Sequence, residues 1–136
     1  MSAYASLFKA FLDRKGIRYK EGNMGAISII YNTDNAKSVE VFVAFDDDGK
    51  NRVTLISFTI GEFPQSQFAK ALVTCNAMNR KYRWVKFYVN DDNCITVSSD
   101  AILDEDTCGD ECFEYVYRMI RIVDEVYPEF MKARWA

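Results

Sequence analysis

Histidine is absent from the 136 residues of this chain. Its absence removes the commonest general base and the commonest metal ligand of proteins. The sequence also lacks a Walker loop, a GxGxxG segment and a nucleophile elbow, which are motifs that position phosphates, dinucleotides and catalytic serines. We therefore predict a protein that is not an enzyme and that uses no cofactor.

An excess of basic residues is lacking as well. Lys and Arg number 17 against 20 Asp and Glu, which gives a formal charge of -3. Because neutralisation of phosphates dominates affinity for nucleic acids, this balance predicts no nucleic-acid partner. The densest basic cluster is interpreted as a solvated helix end and strand face; it comprises Arg80, Lys81, Arg83 and Lys86.

No apolar run approaches the roughly 20 residues that a membrane-spanning helix requires. The first residues, Met1 to Leu12, carry a helical apolar stripe in place of the basic start and apolar run of a signal peptide. The sequence therefore predicts a cytoplasmic protein that has no contact with a membrane.

No two of the four cysteines form a CxxC pair, the spacing with which many zinc sites hold two thiolates together. Cys75 falls on an apolar helical stripe and Cys94 at the start of a strand. Our interpretation is that the cysteines are reduced, buried and free of metal. The four are Cys75, Cys94, Cys108 and Cys112.

Cys108 and Cys112 carry the alternative hypothesis, a thiol-based redox sensor or enzyme. The two lie one turn apart at the start of a predicted helix, where the helix dipole lowers the pKa of a thiol. The neighbouring carboxylates of Asp106, Asp110 and Glu111 oppose that effect.

Acidic clusters raise the question of a calcium site. The run from Asp46 to Gly49 resembles part of an EF-hand loop, but the position at which such a loop needs a glutamate is occupied by Leu55. An acidic hairpin turn is the interpretation that remains. Solvated turns are likewise predicted for the other clusters, at Asp91 and Asp92 and at Asp104, Glu105 and Asp106.

Hydrophobic residues form 49% of the chain and aromatics 15%, enough for one folded domain over residues 1–136. Apolar residues at helical spacing predict helices over Ser2 to Lys15, from Pro64 to about Lys81, and from Thr107, with Pro128 expected to end or kink the last. Strands are predicted over Ile17–Lys20, Ala26–Asn32, Ser38–Phe45, Asn51–Ile60, Arg83–Val89 and Cys94–Ser99.

Short polar connections between these strands predict antiparallel pairing. The fold class is therefore α+β, a curved antiparallel sheet of five to six strands with three helices in the order α-ββββ-α-ββ-α. The fourth strand is apolar on both faces, and helix two has a wide apolar arc. Such a surplus predicts a homodimer or a partner-binding surface, formed by Phe63, Phe68, Leu72, Val73, Val53 and Leu55.

Two segments of the second half carry a family resemblance. One runs from Asn79 to Val89 and continues into Asp91-Asp92-Asn93; the other is Val126-Tyr127-Pro128-Glu129. Together with the turn from Gly16 to Tyr19, they resemble the YbjN-like bacterial proteins, known as sensory transduction regulators. The segment from Cys108 to Cys112 departs from the pattern of that family.

The resemblance implies the fold of type III secretion chaperones, which often pair into dimers, and it offers no catalytic residues. We therefore expect a non-catalytic binding or regulatory protein that engages a protein partner. The sequence does not identify the partner. Recovery of no protein, together with specific retention of a nucleotide or metabolite, would indicate a small-molecule sensor instead.

Overall fold

The structure is a computed structural model that describes residues 2–22 and 25–136, so residues 1, 23 and 24 of the predicted domain lie outside it. The described residues form three helices and six strands in the predicted order. A single 3-10 turn, Gln65–Gln67, precedes the second helix. The elements are α1 Ala3–Lys15, β1 Lys20–Glu21, β2 Ile27–Asn32, β3 Ser38–Phe45, β4 Arg52–Glu62, α2 Phe68–Lys81, β5 Lys86–Val89, β6 Cys94–Ile102 and α3 Cys108–Trp135.

The strands form one sheet in the order β1-β2-β3-β4-β6-β5, and every neighbouring pair is antiparallel. Hairpins join the strands from β1 to β4, and a fourth hairpin joins β5 to β6. The connection through α2 carries the chain across the sheet, so that β6 pairs with β4 and β5 forms the edge. The predicted α+β class and element order are confirmed.

All three helices lie on the same face of the sheet, since α3 contacts β3 and β4 while α1 and α2 pack against α3. Strand alternation directs Val41, Val43 and Leu55 into this layer, where they are buried. The opposite face of β4 carries Phe58, which is exposed and packs its ring 6.0 Å from that of Phe42. Among the described residues no helix covers that second face.

Of the six strands only β3 has the predicted bounds. β6 extends three residues further than predicted, β2 and β4 differ by one or two residues at their ends, and the remaining two differences have a local cause. The predicted strand Ile17–Lys20 is only Lys20–Glu21, because the N–H of Ile17 still bonds the carbonyl of Leu12 at the end of α1. β5 begins at Lys86, because Trp84 adopts a positive φ of 83° that breaks the extended backbone.

α3 continues seven residues beyond Pro128, so of the two alternatives, that this proline ends or kinks the helix, the first is wrong. Proline has no N–H, and the carbonyl four residues earlier, that of Asp124, loses its helical partner. The side-chain amide of Asn35 donates to this carbonyl at 3.2 Å. The β2–β3 turn thus satisfies the group that Pro128 leaves open.

The carboxylate of Asp124 strengthens the same link. Its Oδ1 accepts from the N–H of Ala36 at 2.7 Å and from the N–H of Asn35 at 3.0 Å. Burial is the largest single influence and acts against ionisation of the carboxylate, but the hydrogen bonds from Ala36, Thr33, Asn35 and Asp34 together outweigh it and lower the pKa of Asp124.

Replacing Asp124 by Ala should lower the free energy of unfolding by about 1–2 kcal/mol at pH 7, as the loss of a capping carboxylate does. A group with a lowered folded-state pKa stabilises above its unfolded pKa and loses that effect as pH falls through the folded pKa. The difference between wild type and Asp124→Ala, measured by urea unfolding, should therefore shrink between pH 5 and pH 3. Asp34→Ala, in the same turn, is the control. If it lowered the free energy of unfolding as much as Asp124→Ala, the stabilising role of the Asp124 carboxylate would be contradicted.

Candidate functional site

The exposed apolar surface of α2 is the first candidate site. Val73 is 70% exposed, Leu72 46% and Phe68 39%, and these three residues are called the α2 patch below. Helix α2 turns Ala71, Cys75 and Met78 toward the core, which leaves Phe68, Leu72 and Val73 of the predicted surface outside it. The spacing of apolar residues fits both faces, and contact with β5 and α3 selects the one with Ala71.

The other half of the predicted surface belongs to the core of the same chain. Val53 and Leu55 are buried because they point from β4 toward α3, and Phe63 is buried with its ring edge-on to that of Phe130 at 6.4 Å. These three residues are therefore corrected to core positions. Of the six predicted residues, only those of the α2 patch lie on the surface.

The α2 patch stands within a segment of one charge sign. Residues 63–90 contain five basic residues and no Asp or Glu, although the whole chain is acidic. Two of these basic residues, Arg80 and Lys81, lie in the last turn of α2, where cations interact favourably with the helix dipole. The five are Lys70, Arg80, Lys81, Arg83 and Lys86.

Cys108 and Cys112 are both buried where α1 meets α3. Burial raises the pKa of Cys108 to about 11, and the carboxylate of Glu111 adds to the effect. Burial likewise raises the pKa of Cys112, further than that of Cys108. A working thiol must be accessible and partly ionised, so this geometry argues against the redox hypothesis.

The Cys108–Cys112 segment instead has a packing role. Gly109 lies so close to α1 that a Cβ at this position would fall 2.6 Å from atoms of Phe11. The Cys108 thiol donates to the carbonyl of Tyr4, 3.6 Å away. The absence of a side chain at Gly109 lets the two helices meet here.

The acidic clusters are engaged by the chain itself. Arg52 contacts Oδ2 of Asp46 at 2.9 Å and Oδ2 of Asp48 at 2.5 Å, which supports the interpretation of a hairpin turn. Hydrogen bonds from Lys50 and Arg52 lower the pKa of Asp48 against a smaller opposing effect of burial. Within residues 2–22 and 25–136, no three Cys, Asp or Glu side chains are grouped to hold a metal ion.

A cleft of about 750 Å³ beside β6 is a second candidate site, which the sequence did not predict. Its wall contains Trp84, held by the Arg118 guanidinium 4.5 Å from the ring centroid. Arg118 also lies 5.6 Å from the ring of Tyr115. A bulky residue at positive φ is strained, and such strain is concentrated at functional sites.

Comparison with protein families identifies the chain over residues 5–132 with YbjN, described as "Putative bacterial sensory transduction regulator". The chain belongs to the YbjN family. The predicted resemblance is thereby confirmed over nearly the whole sequence. No curated protein matches the chain by sequence.

Three solved structures share the fold. YbjN from E. coli, described as "a putative transcription regulator", has a TM-score of 0.65 at 15% identity, covering 91% of each chain. The Yersinia pestis type III secretion chaperone SycH, in complex with a fragment of YscM2, has a TM-score of 0.58 at 15% identity, covering 89% of this chain and 98% of the other. A chain of the ExsC–ExsE complex has a TM-score of 0.56 at 12% identity, covering 93% of this chain and 97% of the other.

These likenesses confirm the predicted chaperone-like fold. None of the helices in the part of the chain that the structure describes is long and apolar enough to cross a bilayer.

Alkylation at pH 8 should modify Cys94 first and the other three cysteines slowly, because only Cys94 is partly exposed. With a pKa of about 11, Cys108 is ionised in about one molecule in a thousand at that pH. Mass spectrometry of iodoacetamide-treated protein measures the order, and unfolding in urea should make all four react. Labelling of Cys108 or Cys112 ahead of Cys94 would restore the thiol hypothesis.

Proposed function

We propose that this YbjN-family protein works in the bacterial cytoplasm as a non-catalytic regulatory protein that binds a protein partner in a chaperone-like manner. The α2 patch carries the proposal. It places three apolar side chains side by side on a regular helix whose other face is fixed in the core. Contiguous exposed apolar surface of this kind marks interaction sites in soluble proteins.

The similar folds add support by analogy. SycH was crystallised with a fragment of YscM2 and ExsC with ExsE, so two chains of this architecture occur in complexes with other proteins. Fold alone does not fix function, and the argument for this chain therefore depends on its own surface.

Affinity capture from the source bacterium tests partner binding. The wild-type chain should retain a specific protein that re-forms the complex when both components are purified. Val73→Glu should lose that protein, because it introduces a charge at the most exposed residue of the α2 patch. Tyr117→Glu, which introduces the same charge at an exposed hydrophobic residue of α3, is the matched control. Retention of a small molecule with no protein would replace the proposal with that of a metabolite sensor.

We further propose a homodimer with α2 at its interface. The apolar patch is suited to contact with its own symmetry copy, since a two-fold axis pairs identical surfaces. Two α2 helices packed antiparallel about the α2 patch would bring Lys70 of one copy close to Lys70 of the other. Self-association should therefore tighten as salt screens these like charges.

Light scattering at micromolar concentration should give a mass of about 31 kDa for wild type, twice the 15.7 kDa of the chain. Val73→Glu should return the mass to that of one chain, and Tyr117→Glu should leave the dimer intact. A wild-type mass of one chain that does not change on concentration would rule out the dimer. Dissociation promoted by added salt would place the interface elsewhere on the molecule.

A further inference from the structure

Strand β6 extends beyond its neighbour on one side. It has nine residues, Cys94–Ile102, whereas β5 has four and pairs only with residues 95–98. On its other side β6 remains paired with β4 as far as Ile102. The last four residues of β6 therefore have a strand partner on one side only among the described residues.

The hydrogen-bond alternation shows which groups face the open side. Asn90 N–H bonds the carbonyl of Cys94 at the β5 side, and Leu103 N–H bonds the carbonyl of Asn51 at the β4 side. Even-numbered residues of β6 therefore direct their main-chain groups toward β5, and odd-numbered residues toward β4. It follows that Asp100 and Ile102 present their N–H and C=O groups to the open side.

The free edge of β5 shows how this chain protects a strand elsewhere. The side chain of Asn79 accepts from the N–H of Phe87 at 2.8 Å and donates to the carbonyl of Phe87 at 3.0 Å. One amide thus covers both main-chain groups at the centre of that edge. Proteins cover or shorten exposed edges in this manner to prevent unwanted pairing, and no described side chain does so at Asp100 or Ile102.

The 750 Å³ cleft lies along this same uncovered edge. Trp84 and Val85 close it where β5 begins, and Tyr115, Arg118 and Met119 of α3 form its inner wall. A chain that continued the line of β5 would therefore enter a space that is already open and bounded by aromatic and apolar side chains.

We propose that this notch, defined by the open main-chain groups of Asp100 and Ile102 and the adjoining cleft, binds an extended segment of the partner protein as an additional strand. The inference rests on the proposed partner-binding function and locates one of its contact sites. An extended peptide is the ligand whose own N–H and C=O groups repeat at the spacing that a strand edge requires.

The side chains of the notch indicate the sequence of that segment. Residues of the segment that face α3 meet Met119 and the ring of Tyr115, which favours a large apolar side chain. Asp100 points to the other face of the sheet, where its carboxylate accepts from Thr54 Oγ1 at 2.6 Å. With Asp46 and Asp48 already sharing Arg52, this side carries surplus negative charge and favours a basic side chain.

The test uses a phage-displayed library of random dodecapeptides, selected on the full-length protein and then measured as synthetic peptides by fluorescence anisotropy. Selection should enrich peptides in which apolar and basic residues alternate, and one peptide should bind to each protein chain. Ile102→Pro should weaken them about tenfold, because proline removes the open N–H and leaves the bonds to β4 in place. Ile102→Thr, which keeps that N–H, should change affinity less than about threefold.

A second variant leaves the main chain intact. Asp100→Asn should weaken peptides that contain the basic residue and leave unchanged their versions in which that residue is replaced by glutamine. Circular dichroism melting of the three variants confirms that each is folded, and the Asp100→Asn comparison decides the matter if Ile102→Pro does not fold.

Three results would overturn the proposal. In the first, the library enriches no peptide. In the second, the peptides bind Ile102→Pro as tightly as they bind the wild type. In the third, hydrogen exchange finds the amides of Asp100 and Ile102 already protected in a dimer without peptide, which would assign the strand edge to a second copy. Peptides that bind Ile102→Pro but are lost with Val73→Glu would leave partner binding standing through the α2 patch and reject the notch alone.

Discussion

The contact of α3 with the sheet is the interaction on which the rest of the structure depends. This one helix covers β3 and β4, supports α1 and α2 on its flanks, and binds the β2–β3 turn through Asp124. Nine of its side chains are buried. Because helix and sheet each have a face that cannot remain in water, their union fixes the position of every other element.

Coverage of only one face has consequences for binding. The sheet keeps a second face with Phe58, Tyr88 and Ile102 exposed, and α2 keeps an outer surface with the same property. A chain of this length that enclosed all its apolar residues would need another layer. The exposed surfaces of the fold are thus a consequence of its two-layer design, and they are available to partners without any rearrangement of the core.

Local sequence patterns predicted the elements well where burial and periodicity agree. β3 was predicted residue for residue as Ser38–Phe45, and α1 ends at Gly16 in the left-handed conformation expected of a C-terminal glycine. The errors lie where tertiary contact decides. Pro128 is accommodated because Asn35, distant in sequence, bonds the carbonyl that proline leaves free.

The sites were harder to predict than the fold for the same reason. Exposure of the α2 patch depends on which side of an evenly apolar helix meets α3, and sequence spacing does not distinguish the two sides. The notch depends on a difference in length between β5 and β6, set by the positive φ of Trp84. A segment that the sequence predicts as a basic, solvated helix end and strand face thus creates the strand edge, although none of its residues belongs to a recognisable binding motif.

Charge separates the two candidate sites and constrains how they could work together. The α2 patch lies in a segment with five basic residues and no acidic ones, whereas the sheet side of the notch carries Asp46, Asp48 and Asp100 against Arg52. A single peptide of uniform charge cannot suit both surfaces. Either the partner presents two segments of opposite charge, or the surfaces serve different occupants, with a second copy at α2 and an extended segment at β6. Both arrangements keep the two surfaces apart, because the notch is lined by β4, β6, α3 and the turn at Trp84, and not by the α2 patch.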